Sequence, residues 1–401
     1  METRMARRIV IIGAGVVGSA VAAELTRDER VSVTVLEQAP HHRLVGSTGY
    51  APGLVGLLGE APVLTGLARL SAQVYQGLAQ HGRSGFARVG GLEVATSPAA
   101  ARELQRCAAM AADAGLPARL LEPEQAARHA PDLVDPAGCL AGLLFPADGT
   151  AHARVVTAAL RAQARHAGAR FVYGSAVTGI GTANGAVSWV RTDQAVWAAD
   201  DIVLACGIWG PAVAALAGVL LPLTPVAHPL RPRAGAGSRG RPFPVRALAR
   251  ASRLRPRPWR PAGPGHLRPR ACAGRGGRGG QCRAAWSAVF DDAVQRALAL
   301  LPPASRFKVD LRLNGVFATT ADNLPLLGPV DGVAGLWAAE ALWVTHAAGA
   351  ARALTQTMTS KTGSPVVEGL ETLHPSRFAG QAEHQLTIRA RRLYNDIYAT
   401  S

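Results

Sequence analysis

Arg7-Arg8-Ile9-Val10-Ile11-Ile12, then Gly13-Ala14-Gly15-Val16-Val17-Gly18, then Ser19 to Thr26, Val31 to Leu36 and Glu37 follow one another near the start of the chain. Apolar β-branched runs enclose a glycine cluster and an alanine-rich stretch, so the order reads strand, turn, helix, strand, acid. The three glycines have the spacing of a dinucleotide-binding turn. Gly13 permits the tight turn, Gly15 lets backbone approach a pyrophosphate, and Gly18 lets the helix pack on the strand. The helix start offers N–H groups and a partial positive charge to phosphates. Glu37 ends the second strand, where a carboxylate can accept hydrogen bonds from an adenosine ribose. A glycine-rich turn in a plain α/β protein is the alternative; both strands and the acid favour the dinucleotide.

The chain has 401 residues, 48% of them hydrophobic, enough for a large core and for one interleaved two-part fold or two domains. Its apolar run at Val213 to Leu221 is far short of the roughly 20 residues of a membrane-spanning helix, and no membrane partner is expected. The first strand begins within a few residues of the N-terminus, leaving no room for a secretory signal, so a cytoplasmic location is expected. Cys107, Cys139, Cys206, Cys272 and Cys282 are scattered without metal-ligand spacing, and neither a metal site nor a disulfide framework is expected.

The net charge of +16 is local. Residues 229–289 hold fifteen of the 43 basic side chains and no Asp, Glu or Lys, which leaves 28 basic against 27 acidic residues elsewhere. That segment also holds nine Pro and ten Gly, a composition unable to pattern a strand or helix. Elsewhere the pattern predicts helices over Ala61 to Leu78, Ala99 to Ala114, Pro123 to His129, Ala151 to Ala167, Phe290 to Leu301 and Ala347 to Thr359. Strands are predicted at Gly91 to Thr96, Ala141 to Phe145, Arg170 to Tyr173, Val177 to Gly181, Val187 to Thr192, Ala195 to Ala198, Asp201 to Ala205, Phe307 to Leu313 and Leu336 to Ala339.

Four further runs occur in order: Ser47-Thr48-Gly49-Tyr50-Ala51-Pro52-Gly53-Leu54, Val89 to Thr96, Pro222-Leu223-Thr224-Pro225-Val226-Ala227-His228, and Ala339-Glu340-Ala341-Leu342-Trp343-Val344-Thr345-His346. With these the chain resembles the D-amino-acid-oxidase-like flavoproteins, most closely the flavin portion of dimethylglycine oxidases and of sarcosine and dimethylglycine dehydrogenases. The resemblance implies an α/β fold, with a Rossmann-like FAD-binding domain (1–60, 150–225 and 310–401) interleaved with a mixed-sheet substrate domain (61–149 and 226–309). It implies FAD, with Val16 and Val17 backbone at the pyrophosphate and Glu37 and Gln38 at the ribose. Val177 falls at the adenine, Ser47, Thr48, Gly49, Tyr50 and Leu54 around the flavin, and Val344, Thr345, His346 and Ala347 at a helix start facing its N1 and O2 edge. His228 takes the place of an active-site histidine that orients the substrate amine or carboxylate. Many relatives attach FAD covalently through a histidine where this chain has Tyr50; a phenol lacks that nitrogen, so non-covalent FAD is expected.

Relatives follow the histidine with a Tyr-x-x-x-His-Gly-Asp-x-x-Gly-x-Gly-x-Tyr-x-His pattern, absent here. Read one base later, with CGN for arginine, the codons of Trp259 and Arg260 force glycine, those of His266 and Leu267 force threonine or isoleucine, and others permit the family pattern. The segment 229–289 therefore reads as the product of two compensating frame changes in the substrate domain. An arginine-rich arm for an acidic partner and a disordered insertion are the other readings; nucleic acid is not expected. The implied activity is oxidation of a small secondary or tertiary amine, such as sarcosine or dimethylglycine, to an iminium. A non-catalytic flavoprotein subunit is the alternative. Longer relatives continue into a folate-binding region, which implies a separate folate-dependent or electron-accepting partner.

Overall fold

A computed structural model describes residues 6–230, 248–250, 301–306, 313–359 and 365–396, together with Asp291, Gln295 and Leu298. The expected helix at Phe290 to Leu301, most of the strand at Phe307 to Leu313, Cys272 and Cys282 lie largely or wholly outside the described residues.

In chain order the strands are β1 (Arg7–Ile12), β2 (Val31–Glu37), β3 (Leu54–Val55), β4 (Ala79–Gln80), β5 (Arg83–Ser84), β6 (Phe86–Ala87), β7 (Gly91–Ala95), β8 (Arg119–Leu121), β9 (Ala141–Phe145) and β10 (Gly149–Ala151). They continue as β11 (Arg170–Tyr173), β12 (Val177–Ala183), β13 (Ala186–Thr192), β14 (Val196–Ala198), β15 (Asp201–Leu204), β16 (Thr224–Leu230), β17 (Leu248–Arg250), β18 (Leu313–Thr319), β19 (Leu326–Pro329) and β20 (Leu336–Glu340). The helices used below are α1 (Val16–Leu25), α2 (Pro62–Gln76), α3 (Pro98–Asp113), α4 (Pro123–His129), α5 (Ala153–His166), α6 (Gly210–Ala214), α7 (Ala347–Thr359) and α8 (Glu383–Asp396).

The central sheet runs β11-β2-β1-β15-β20-β19. All its pairings are parallel except β19 on β20. Strands buried on both faces read as continuous apolar runs, and Ile9, Val10, Ile11, Ile202, Val203 and Leu204 are all buried. On one face α1 packs between α5 and α7, and α7 also meets α2. That last approach requires Gly349, because a Cβ there would lie 2.1 Å from the Leu67 carbonyl oxygen. The β12-β13-β14 meander forms a separate antiparallel sheet. At the N-terminal end of the central sheet Asp201, 1% exposed, takes a two-pronged ion pair from Arg7 and a 2.9 Å hydrogen bond from Trp337 Nε1.

The second part is built from β17-β7-β9-β8, from β3-β10-β6 and from the antiparallel ribbon β16-β18. Within the arginine-rich segment the described stretch Leu248–Arg250 adds a parallel strand to Glu93–Ala95, and Pro229 and Leu230 close β16 opposite Asn314 and Leu313. The rest of 229–289 lies outside the described residues.

Candidate active site

The turn after β1 is held from all sides. Gly13 adopts φ +106, and a Cβ on it would fall 2.3 Å from the Ala205 carbonyl oxygen; a Cβ on Gly18 would fall 1.9 Å from the Gly13 carbonyl oxygen. Both positions therefore demand glycine for the reasons the spacing implies. Gly15 caps α1 with no side-chain cap and no acidic residue in the first turn. The first turn thus carries no acidic side chain of its own at its partially positive end, which fits a pyrophosphate. Glu37 stands at the end of β2 and accepts the Ala14 N–H (2.8 Å) and the Ala39 N–H (2.8 Å). Gln38 beside it is exposed, and Ser175, whose N–H donates to the Glu37 carbonyl (2.9 Å), leads into Val177 at the start of β12.

The 3-10 turn Ser47–Tyr50 crosses above this unit. Thr48 Oγ1 accepts the Val16 N–H at 3.1 Å, and Ser47 Oγ donates to the Val316 carbonyl at 2.9 Å. Tyr50 packs on Gly315, where a Cβ would meet the Tyr50 Cβ at 3.0 Å. Gly315 pairs with His228 across the β16-β18 ribbon. The phosphate turn, the Ser47–Tyr50 turn and the backbone of His228 are thereby brought into one neighbourhood.

The turn after β20 closes the site. Thr345 Oγ1 donates to the Leu54 carbonyl (2.9 Å), and the buried Tyr75 hydroxyl donates to the Val344 carbonyl (2.7 Å). Ala347, fully buried, begins α7. His346 just before it is partly exposed, and burial of its ring pushes its pKa down to about 4, so it is neutral near pH 7. Ala341 has φ +55, a left-handed conformation that costs a Cβ-bearing residue about 1 kcal/mol. Trp343, 44% exposed, stacks edge-on against Phe317, which also meets Tyr394 of α8.

Two residues that the sequence reading passed over lie here. Glu340 is 1% exposed; its Oε1 accepts the Cys206 N–H at 2.6 Å, and its Oε2 has no hydrogen-bond partner among the described residues. Burial pushes its pKa up to about 8, and burial also raises the Cys206 thiol well above its usual value. Arg161 on α5 is 7% exposed, with its Nε 3.1 Å from the Ala14 carbonyl oxygen and its Nη2 on the same oxygen. Burial lowers its pKa. No motif marks Arg161, and Glu340 stands in the run Ala339 to His346 without a role of its own. Both sit in apolar patterns, and the one sequence signal is a charged residue standing on a stripe of Val156, Ala159, Leu160 and Ala164 or at the end of Leu336 to Ala339. No group of His, Cys, Asp and Glu able to hold a metal ion occurs among the described residues, and no helix among them is long and apolar enough to cross a membrane.

The family model described as FAD dependent oxidoreductase matches residues 8–357. Human mitochondrial dimethylglycine dehydrogenase is 31% identical over 221 residues, covering 55% of this chain and 25% of that protein. The 4-methylaminobutanoate oxidase (formaldehyde-forming) of Paenarthrobacter nicotinovorans is 30% identical over 227 residues, covering 55% of this chain and 27% of that protein. The matched stretches thus span well under half the length of either relative. Among solved structures, L-proline dehydrogenase from P. horikoshii superposes with a TM-score of 0.74 at 19% identity, over 93% of this chain and 98% of the other, which supports the fold.

Proposed function

The chain belongs to the FAD dependent oxidoreductase family, and we propose that it oxidises a small secondary or tertiary amine of the sarcosine and dimethylglycine class to an iminium, which water converts to an aldehyde and the demethylated amine. The observation that carries this reading is the convergence of the Gly13–Gly18 turn and Glu37 with Tyr50 and the backbone of His228. The names of the two relatives above add that their substrates are N-methylated amines bearing a carboxylate, one of them yielding formaldehyde.

When bound, FAD supplies the two-electron acceptor for the substrate C–H bond. The protein contributes position and field. Val16 and Val17 present backbone to the pyrophosphate at the turn that Gly13, Gly15 and Gly18 shape, Glu37 and Gln38 take the ribose, and Val177 the adenine edge. Ser47, Thr48, Gly49, Tyr50 and Leu54 flank the flavin, and Val344, Thr345, His346 and Ala347 set the start of α7 at its electron-accepting edge, where helix N–H groups stabilise negative charge. A neutral His346 adds a dipole there and no competing charge. His228 orients the substrate amine, which reacts in its neutral form. With Tyr50 in the tethering position, FAD is held without a covalent bond.

Anaerobic mixing with sarcosine or dimethylglycine, followed at the flavin absorbance band, tests the reading: bleaching with stoichiometric formaldehyde is expected, with glycine and proline as controls. Tyr50 and the missing tyrosine motif after His228 favour a second reading, a non-catalytic flavoprotein subunit, which predicts bound FAD that no amine reduces.

A further inference from the structure

We infer that Arg161 is a positioning residue for FAD: from beneath the glycine turn it fixes the Ala14–Gly15 peptide so that the Gly15 N–H points outward, and it places a buried cation that only an anion in the turn balances. The geometry begins with one carbonyl. Ala14 O accepts from Arg161 Nε (3.1 Å), from Arg161 Nη2 and from Ser19 Oγ (3.1 Å). In a trans peptide the C=O and the following N–H point in opposite directions. Drawing the Ala14 carbonyl inward therefore turns the Gly15 N–H outward at the start of α1, where Gly15 itself supplies no side-chain cap. Glu37 holds the other side of the same residue through the Ala14 N–H, at 2.8 Å. The two side chains leave Ala14 one orientation.

The charge balance around Arg161 points the same way. Arg161 is 7% exposed and forms no ion pair with a carboxylate among the described residues. Its other neighbours are Ser19 Oγ, 3.4 Å from Nε, and the Tyr173 ring, 5.5 Å from the guanidinium carbon, while Glu37 attracts it from beyond ion-pair distance and Arg165 repels it. A buried cation without a bonded counter-ion destabilises the protein that carries it. A pyrophosphate bound at the glycine turn brings the missing negative charge. The residue thus opposes the stability of the cofactor-free protein and favours the loaded one.

This inference rests on FAD binding alone; failure to oxidise any amine would leave it standing. The test compares Arg161→Met with the full wild-type chain in two measurements, FAD affinity by flavin fluorescence titration and the melting temperature of the cofactor-free protein. Affinity is expected to fall about 10- to 100-fold, the range for loss of a charged hydrogen bond. The cofactor-free melting temperature is expected to stay level or rise, because Ser19 Oγ still serves the Ala14 carbonyl. An unchanged FAD affinity overturns the inference, as does a loss of affinity matched by a fall in cofactor-free stability, the signature of a merely structural arginine. If Arg161→Met does not fold, Arg161→Gln, which keeps a donor and removes the charge, is judged by the same two outcomes.

Discussion

Glu340→Gln changes one atom of a buried carboxyl and removes a proton-binding site, so its effect on stability should be seen in the pH dependence. The folded-state pKa of Glu340 is raised from 4.5 to about 8, by burial first, with the Cys206 and Gly207 N–H groups only partly offsetting it. Between those values the folded protein keeps a proton that the unfolded chain has released. Stability from this group is therefore complete below about pH 4.5 and is lost as pH rises through 8, at about 1.4 kcal/mol per pH unit. From pH 5 to 7.5 the loss is on the order of 3 kcal/mol. His346 works in the opposite sense, since its pKa is lowered from 6.5 to about 4 and stability gained from its neutral ring grows as pH rises across that interval. Because His346 is present in both proteins, its contribution cancels in their difference. Urea unfolding of cofactor-free wild type and Glu340→Gln at constant ionic strength, from pH 5 to 8, should give a difference that moves steadily in favour of the variant. The amide adds a pH-independent cost by facing N–H groups toward the unpaired Oε2 position, so the slope is the quantity to read. Parallel curves over this range would refute a protonated Glu340.

Gly15→Val should weaken FAD binding at least about 100-fold, because even a Cβ there meets Thr48 Oγ1 at 3.1 Å and the larger side chain covers the anion-facing helix end; normal flavin retention in the purified variant would count against the phosphate turn. Gly349→Ala drives a Cβ into the Leu67 carbonyl and should cost about 1 to 3 kcal/mol in urea unfolding; an unchanged midpoint would show that α2 and α7 separate freely. Acid precipitation should leave all flavin in the supernatant, and fluorescence that stays with the denatured chain on a gel would show a covalent link. Re-engineering the codons of residues 229–289 to the shifted frame should raise the rate of amine-dependent flavin reduction; equal rates in the two versions would remove the frame-change reading.

The parts legible in the sequence are those where one residue type has one physical use. The Gly13, Gly15, Gly18 and Glu37 unit is such a case, and its geometry follows the spacing because backbone excludes a Cβ at Gly13 and Gly18 and the Thr48 hydroxyl lies close to Gly15. Apolar runs such as Ile9 to Ile12 and Ile202 to Leu204 likewise reached the central sheet. β19 was not legible: Pro325, Gly328 and Pro329 interrupt any strand pattern, yet an antiparallel edge strand tolerates proline because one side of its ladder is open. α8 was missed because its core stripe shrinks to Leu386 and Ala390, too few for a period to stand out.

Glu340 and Arg161 were hidden for a different reason, and they share a logic. At the N-terminal end of the central sheet the buried acid, Asp201, is matched by Arg7 and Trp337, an arrangement complete within the chain. At the opposite end the buried acid keeps an unpaired oxygen and the buried base has no carboxylate bonded to it among the described residues. Sequence patterning detects charge on an apolar stripe but not whether a partner exists, since the partner comes from another part of the chain. Incomplete pairing belongs where a ligand supplies the remainder, and here both incomplete groups adjoin the strand ends from which the glycine turn, Cys206 and Ala341 emerge. The melting temperature of the cofactor-free protein carries that imbalance: filling the site with FAD should raise it by more in the wild type than in Arg161→Met, when both are compared at the same free FAD concentration. Equal increments would mean that the turn binds FAD without using the charge beneath it.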